Sequence, residues 1–331
     1  MILGMRAFVV ALGLVSLCVV AQPPVKPLPP PGIAVPANER TELEEGLAKL
    51  KAALDAGKGK AAWADAAIFH KAVRWALDDN LFYNANEFPR AKEMLRIGLE
   101  RASELDNAPW RAWTGLVPLA YVSRLDDSLQ PYGLVVPESW SPKAKGAWRL
   151  DVWFHGRGET LSELAFLHQR LNNAGEFTPP DTFVLHLYGR YCNANKLAGE
   201  VDLFEALDDV KKRYRIDPDR ISVRGFSMGG AAAWHFGAHH AGAWASVAPG
   251  AGFSETEEFL KITPEQKKAQ YWWETKLWNW YDATQYAVNF FNVPLVAYSG
   301  EIDGQRQAAR AMEKMLTKEG LNMTHVIGPQ T

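Results

Sequence analysis

The first third of the folded part of the chain carries apolar residues at helical spacing. Leu43, Leu47, Leu50 and Leu54 recur at intervals of three and four, which predicts an amphipathic helix. Thr41 and Glu44 match a capping box, so we expect the helix to begin there and to stop at Gly57. Similar patterns predict helices over residues 64–77 and from about 89 to 105. Residues 37–109 are therefore either a small helical domain or a helical cap packed on the C-terminal part of the chain.

From about residue 110 the pattern changes to short apolar runs that alternate with helical segments. The predicted strands are residues 119–124, 132–137, 148–154, 183–188, 221–224, 244–248, 294–299 and 324–327. The predicted helices between them are residues 161–171, 201–214, 228–239 and 305–319. This alternation is typical of an α/β fold with a mostly parallel sheet covered by helices on both faces. Right-handed crossovers then bring the strand C-terminal ends to one edge, where active sites of such sheets lie.

The N-terminal residues resemble an export signal. Arg6 precedes an apolar run over residues 7–20, and Ala21 is a small residue at which cleavage is plausible. A membrane anchor is the alternative, although the run is short for a spanning helix, and Cys18 after Leu17 is a poor lipoprotein site. We therefore expect a signal peptide over residues 1–21 and a secreted or periplasmic protein. Residues 22–36 contain seven prolines and predict a semi-rigid spacer.

Composition excludes several classes of protein. An apolar fraction of 47% and a charged fraction of 22% are ordinary globular values and exclude a disordered, collagen-like or coiled-coil chain. The net charge of −2 gives no field for nucleic acid, and we expect membrane contact only through an uncleaved signal segment. After cleavage Cys192 is the one remaining cysteine, so no internal disulfide can form. The sequence implies no metal and no organic cofactor.

A glycine-rich run between a predicted strand and a predicted helix carries the sharpest chemical signal. Residues 225–230 read Gly-Phe-Ser-Met-Gly-Gly and match G-x-S-x-G. On a tight turn, the small residues let strand and helix approach and expose the hydroxyl of Ser227 at the sheet edge. A structural glycine-rich turn is the alternative. Ser227 is the candidate nucleophile, and the N–H of Met228 after it is a candidate donor to an oxyanion.

Two further loops come after predicted strands. His155-Gly156-Arg157-Gly158 comes after strand 148–154, and Arg157 is the candidate for the second oxyanion donor through its backbone, with His155 orienting the loop. Its alternative is a plain surface turn.

The other loop, residues 299–304, reads Ser-Gly-Glu-Ile-Asp-Gly and comes after strand 294–299. An acid there could hold the tautomer of a catalytic histidine, and Asp303 is our choice, with Glu301 in reserve. An Asp-Gly turn without a catalytic role is the alternative.

In their chain order, residues 155–158, 225–230 and 299–304, these three motifs resemble an α/β-hydrolase, and the run Ile216-Asp217-Pro218-Asp219-Arg220-Ile221 before the serine motif strengthens the likeness. More narrowly, residues 115–331 are similar to the catalytic domain of the prolyl-oligopeptidase type and to secreted esterases of the dienelactone-hydrolase and polyhydroxybutyrate-depolymerase groups. The repeated blades of the propeller that accompanies prolyl oligopeptidases are not visible in the sequence. The resemblance therefore implies a serine hydrolase of residues 110–331 and favours ester over peptide cleavage.

The resemblance places a catalytic histidine just after the last strand. In this sequence that strand is residues 324–327, followed by Gly328, Pro329, Gln330 and Thr331. His325 lies inside the strand, where the pleat fixes its direction. Three interpretations stay open: a fragment whose histidine lies beyond Thr331, which we prefer, His325 as the base, or a pseudoenzyme.

Residues 253–292 form an aromatic-rich insert between two core strands. Trp272 and Trp273 could stack on sugars, aromatic acyl groups or a polymer, and in the family that the chain resembles insertions here often form lids. Ordinary packing of an amphipathic helix is the slightly favoured alternative. Tyr191, with Tyr188 and Arg190, lies at or after the end of strand 183–188 and is a further candidate substrate contact.

Together these observations predict an exported serine hydrolase acting on a small-molecule or polymer ester or peptide. The alternative is an α/β-hydrolase-fold binding or scaffold protein that lacks the catalytic histidine.

Overall fold

The computed structural model describes residues 26–329 of the chain. The predicted signal peptide, residues 1–21, lies outside the described residues, as do the first residues of the proline-rich segment. Within 26–329, no helix combines the length and the apolar character that crossing a membrane requires.

The three predicted N-terminal helices are present as α1 (Ala37–Ala56), α2 (Trp63–Asp78) and α3 (Glu87–Ser103). The four leucines that predicted α1 are all buried. The predicted capping box is wrong, because α1 begins four residues before Thr41, and the Thr41 hydroxyl donates instead to the carbonyl of Ala37 within the first turn. Pro36 stands at the N-cap, and its fixed φ suits the entry to a helix.

Part of the proline-rich segment lies against the folded body. The backbone N–H of Gly32 donates to the carbonyl of Asn80 at 3.0 Å, and that of Ile33 to the carbonyl of Phe82 at 2.7 Å. A Cβ at Gly32 would lie 2.1 Å from the Asn80 oxygen, so only glycine fits there. From Gly32 onward the predicted semi-rigid spacer is therefore held against the folded body, because its backbone pairs with the loop between α2 and α3.

Within residues 26–329, eight strands form one sheet, as the alternation of the sequence predicts. They are β1 (Gly115–Val122), β2 (Leu129–Val136), β3 (Trp148–Phe154), β4 (Thr182–Leu187), β5 (Ile216–Phe226), β6 (Ser246–Gly250), β7 (Val296–Gly300) and β8 (Thr324–Gly328). Their spatial order is β1-β2-β4-β3-β5-β6-β7-β8. β2 runs antiparallel to both of its neighbours, and from β4 to β8 all pairs are parallel. The predicted α/β-hydrolase fold is thereby confirmed.

Seven further helices accompany the sheet within the described residues. They are α4 (Glu163–Asn172), α5 (Ala198–Arg213), α6 (Met228–His239), α7 (Thr256–Phe259), α8 (Pro264–Ala269), α9 (Trp272–Trp278) and α10 (Arg306–Lys318). The first three come after β3, β4 and β5, and α10 comes after β7. The short helices α7 to α9, with a 3-10 stretch over Ala283–Asn292, make up the predicted insert.

The N-terminal helices share one hydrophobic core with the sheet, so they are a wall of the hydrolase body. The buried carboxylate of Asp65 also joins the N-terminal helices to the sheet. Oδ2 of Asp65 on α2 accepts from Trp110 Nε1 at 3.0 Å and from Arg213 Nη1 of α5 at 2.7 Å, and Oδ1 accepts from the N–H of Ala120 in β1. Burial alone would raise the pKa of Asp65, but the guanidinium of Arg213 holds it below its ordinary value. Residues 37–109 are therefore not a separate helical domain but a helical cap packed on the C-terminal part of the chain.

Candidate active site

Ser227 stands on a sharp turn between β5 and α6. Its φ of 56° and ψ of −120° are left-handed, a conformation that costs a non-glycine residue about 1–3 kcal/mol and tends to occur at functional sites. Its N–H donates to the carbonyl of Gly250 at 2.9 Å, which ties the turn to the end of β6. The side chain is half-buried rather than enclosed. The backbone thus presents the hydroxyl at the C-terminal edge of the sheet, as the motif predicts.

Three glycines make this turn sterically possible. A Cβ at Gly225 would lie 2.3 Å from the oxygen of Gly229, and one at Gly229 would lie 2.0 Å from the oxygen of Phe154. A Cβ at Gly230 would lie 2.2 Å from the oxygen of Gly250. In each case the neighbour is backbone, which no rotamer change can relieve. The motif residues are therefore required by the approach of β5, β3 and β6 to the start of α6.

The His-Gly-Arg-Gly loop lies directly beside Ser227. A Cβ at Gly156 would be 3.8 Å from the Cβ of Ser227 and 3.6 Å from the oxygen of Phe226. The ring nitrogens of His155 lie 2.8 Å and 3.1 Å from the carbonyl oxygens of Gly156 and Tyr188. His155 therefore fixes the loop to the end of β4, the orienting role that the sequence suggests.

The two predicted oxyanion donors, Arg157 and Met228, directly follow Gly156 and Ser227 in the chain. The guanidinium of Arg157 donates to Oε1 of Glu159 through Nε at 3.1 Å and Nη2 at 2.8 Å, so the side chain is paired and the backbone N–H remains the candidate donor. Met228 is the first residue of α6. The N–H groups of a first helical turn have no partner inside the helix, and they favour negative charge.

Asp303 and Ser227 line one cavity of about 390 Å³ at the edge of the sheet. Asp303 lies in the loop after β7, where its Oδ1 accepts from the N–H of Gln305 at 2.8 Å. Glu301, the reserve candidate, is exposed and is not among the residues that line this cavity. The structure therefore favours Asp303 as the acid.

His325 does not reach this cavity. It lies in β8 opposite Ala297, and its Nε2 is 3.1 Å from Oγ of Ser299, a residue that is 1% exposed. Burial lowers the pKa of His325, and Glu313 and Arg306 of α10 also act on it, so the ring lies near α10. Because strand side chains alternate between the two faces, a residue inside β8 projects from the sheet and not over its end. Of the three interpretations that the sequence leaves open, this position does not favour His325 as the base.

None of the eight histidines of the sequence, all of which lie within residues 26–329, lines the cavity of Ser227 and Asp303. Nε2 of His235 is 3.0 Å from the carbonyl of Ala194, and that of His240 is 2.8 Å from Oε1 of Glu200. Burial lowers the pKa of His235 to about 3, which keeps it neutral. The contacts of His235 and His240 are therefore structural, and within residues 26–329 no histidine is placed beside Ser227 and Asp303 in this cavity.

The aromatic candidates of the insert face solvent. Trp272 is 71% exposed and Trp273 45%, and no residue of α9 is buried. The rings of Tyr271 and Trp273 stack with centroids 5.5 Å apart. Helix α9 therefore does not pack on the sheet as an amphipathic helix would. Neither tryptophan lines the cavity of Ser227.

Tyr191 lies against the end of the His-Gly-Arg-Gly loop, residues 155–158. Its hydroxyl donates to the carbonyl of Glu159 at 2.5 Å. It belongs to a stretch of backbone that sequence reasoning missed, in which six residues have positive φ: Gly189, Arg190, Tyr191, Ala194, Asn195 and Leu197. The glycine and asparagines between residues 189 and 197 were the signal that could have indicated this turn-rich segment.

Among residues 26–329, no group of histidine, cysteine and carboxylate side chains could hold a metal ion. Cys192 is a free thiol whose Sγ is 3.7 Å from Sδ of Met228.

Residues 190–330 match the sequence model of the prolyl oligopeptidase family. The resemblance to this family is confirmed. The match covers both the nucleophile motif and the loop of Asp303, and it supports the predicted class of enzyme, a serine hydrolase. No curated protein matches the chain.

Solved structures with a similar fold include several hydrolases. A thermostable esterase is 17% identical with a TM-score of 0.45, covering 64% of this chain and 54% of its own. A ferulic acid esterase is 17% identical with a TM-score of 0.47, covering 65% of this chain and 90% of its own. S-formylglutathione hydrolase (FrmB) from Staphylococcus aureus is 17% identical with a TM-score of 0.45, covering 64% and 90%. The chain thus spans about half the length of the first of these structures.

Proposed function

We propose that this protein is an exported serine hydrolase that cleaves an ester through Ser227. The observation that carries the proposal is that Ser227 and Asp303 line one cavity, with the His-Gly-Arg-Gly loop beside Ser227. Ser227 stands on a left-handed turn, Asp303 lines the same cavity, and Gly156 of the oxyanion loop lies beside the serine. A nucleophile, an acid and backbone donors at one point are the parts that acyl transfer requires.

The reaction uses these parts in sequence. A base takes the proton of Ser227 as Oγ attacks the acyl carbonyl, and the carbonyl oxygen becomes an oxyanion held by the N–H groups of Arg157 and Met228. The base then protonates the leaving alcohol as the carbon–oxygen bond breaks, which leaves an acyl-serine. Water, deprotonated by the same base, attacks the acyl carbon; the bond to Oγ of Ser227 breaks, the base returns its proton to Oγ, and the acid is released.

The base in this proposal is a histidine carried by polypeptide beyond β8. Gly328, the last residue of β8, pairs with Gly300, and its carbonyl accepts from the N–H of Glu301 at 2.9 Å. Polypeptide leaving β8 therefore starts beside the loop that carries Asp303. A histidine there could hydrogen-bond to that carboxylate and to Ser227.

Two further parts of the proposal rest on the sequence. The preference for ester over peptide cleavage rests on the resemblance, since the repeated blades that accompany prolyl oligopeptidases are not visible in this sequence. Export rests on the apolar run after Arg6, and the predicted substrates are small-molecule or polymer esters.

Hydrolysis of a p-nitrophenyl ester tests the proposal in the protein extended past Thr331 in its reading frame. We expect a histidine within several residues of Thr331 and loss of turnover in Ser227→Ala. Ser141→Ala, an exposed serine away from the cavity, is the matched control and keeps its activity. Unchanged turnover in Ser227→Ala would remove Ser227 from the mechanism.

The alternative is a binding or scaffold protein that keeps this fold without its chemistry. The observation in its favour is that no histidine within residues 26–329 lines the cavity of Ser227. Without a base the serine is a weak nucleophile, and the rate falls by orders of magnitude. A stop codon directly after Thr331 would favour this alternative.

A further inference from the structure

A second cavity, of about 280 Å³, adjoins the His-Gly-Arg-Gly loop. His155 and Gly156 contribute to its wall, and so does Phe226, which also lines the cavity of Ser227 and Asp303. The backbone of Gly156 is next to the serine, since a Cβ there would lie 3.8 Å from the Cβ of Ser227. A substrate whose carbonyl lies at Ser227 can therefore extend past Phe226 into this second cavity.

The wall of the second cavity carries an arginine without an acidic partner. Arg170 of α4 is half-buried, and Nε and Nη1 of its guanidinium are covered by protein atoms and have no hydrogen-bond partner within residues 26–329. Burial alone lowers the pKa of Arg170, so no carboxylate of the described residues acts on it. An arginine keeps its charge at neutral pH, and this positive charge therefore stands unneutralised in the wall.

The charged end of Arg170, rather than its stem, lies at the cavity. Its Cβ, Cγ and Cδ pack on Gly133 of β2, where a glycine Cβ would lie 2.4–3.0 Å from them, and Gly133 does not line the cavity. Nη1 is near Gly175, 3.9 Å from the position of a Cβ there, and Gly175 does line it. Nη2 is not among the covered atoms, so it is the donor that an occupant can reach.

The rest of the wall offers apolar surface and little competing charge. Its apolar side chains are Trp153, Leu161, Phe166, Leu187 and Phe226. His186 is neutral, because burial lowers its pKa to about 3, and its Nε2 lies 3.1 Å from the carbonyl oxygen of Ala174. Glu176 also lines the cavity, but its side chain is exposed and does not act on Arg170. A mostly apolar cavity with one free polar group is typical of a site that orients a small ligand.

We propose that the second cavity binds a carboxylate of the substrate, which accepts a hydrogen bond from Nη2 of Arg170 while an aliphatic chain lies on the apolar wall. One cation with one open donor matches a single negative charge, whereas a phosphate dianion calls for more donors and more positive charge. On the proposed function, on which this step rests, the carboxylate belongs to the ester that is cleaved at Ser227. The substrate class is then an ester with a free carboxylate, such as a half-ester of an aliphatic dicarboxylic acid.

Ligand-observed NMR titrations on the 331-residue chain test this binding without any turnover. The probes are the monomethyl esters of succinate, adipate and suberate, each compared with its neutral dimethyl ester. We expect at least one monomethyl ester to bind about tenfold tighter than its dimethyl ester, the effect of one hydrogen bond between charged groups. This comparison needs no variant, so it holds whether or not a variant folds.

Arg170→Met, with folding checked by thermal melting, should remove the preference for the monomethyl ester. Methionine keeps an unbranched stem over Gly133 and loses the charge. Arg220→Met, an exposed arginine that does not line the cavity, is the matched control and should keep the preference of the parent.

Three results would overturn the proposal. They are equal binding of the monomethyl and dimethyl esters for all three acids, equal preference in Arg170→Met and its control, and displacement of the monomethyl ester by an equal concentration of inorganic phosphate, which would indicate a phosphate site. The two proposals fail separately. A carboxylate preference without reactivity of Ser227 contradicts only the hydrolase, and a reactive Ser227 without that preference contradicts only the carboxylate site.

Discussion

Gly229→Ala tests whether the turn at Ser227 depends on close backbone contact. The added Cβ would lie 2.0 Å from the oxygen of Phe154 and 2.9 Å from that of His155. Ordinary contact begins near 3.4 Å, so the end of β3 and the start of α6 must separate by more than 1 Å. Overpacking costs about 1–3 kcal/mol where side chains can adjust, and because backbone cannot, we expect at least the upper end, about 3 kcal/mol.

The higher helix propensity of alanine offsets up to about 1 kcal/mol, which leaves a net loss of about 2 kcal/mol or more. Urea denaturation followed by tryptophan fluorescence measures this loss. Gly242→Ala is the matched control, since a Cβ there meets nothing within 4 Å, and its stability should stay within about 1 kcal/mol of the parent. Equal stability of the two variants would refute the contact argument for the turn.

Three other changes address the ion pair, the acid and the insert. Lys71→Met leaves the buried carboxylate of Glu163 without a counter-charge. Urea denaturation at neutral pH should then show a loss of about 3–5 kcal/mol in the free energy of unfolding, partly recovered in Lys71→Met/Glu163→Gln. A double variant whose loss equals the sum of the two single losses would contradict this. In the extended protein, Asp303→Asn should lower kcat for a p-nitrophenyl ester by about 10⁴-fold while Glu301→Gln keeps most activity, and the reverse order would transfer the acid role to Glu301. Burial raises the pKa of Asp282 from 3.8 to about 6, so its contribution to stability is full below pH 3.8 and is lost as the pH rises through about 6. Asp282→Asn should flatten that part of the stability profile, and an unchanged profile would exclude Asp282 as its cause.

The sequence predicts the sheet well because strand and helix patterns are local. The bounds of β3 and α6 match the expectation at both ends, since an apolar run defines the strand and the glycine motif defines the helix start. The start of α1 is missed by four residues, because Pro36 begins the helix before the first apolar residue of its stripe. The candidate nucleophile and the candidate acid come from motifs directly after strands, and the fold brings Ser227 and Asp303 to one cavity at the edge of the sheet.

Contacts between distant segments are beyond the reach of sequence patterns. Lys71 and Glu163 are 92 positions apart, and neither stands in a motif, so the buried ion pair between α2 and α4 is visible only in the fold. The same holds for α9, whose aromatic spacing suits packing although its side chains lie in solvent. His325 shows the converse. It is close in sequence to the loop expected after β8, yet its position inside the strand directs its ring to the face of the sheet near α10.

Covalent labelling of Ser227 by a fluorophosphonate tests the central claim most directly. The experiment uses the protein extended past Thr331, with mass spectrometry of the peptide that contains residues 225–230 and with Ser227→Ala as control. The account predicts one phosphonate per chain on Ser227 and none in the variant. An unlabelled Ser227 in a folded, extended protein, or labelling at another residue, would contradict it.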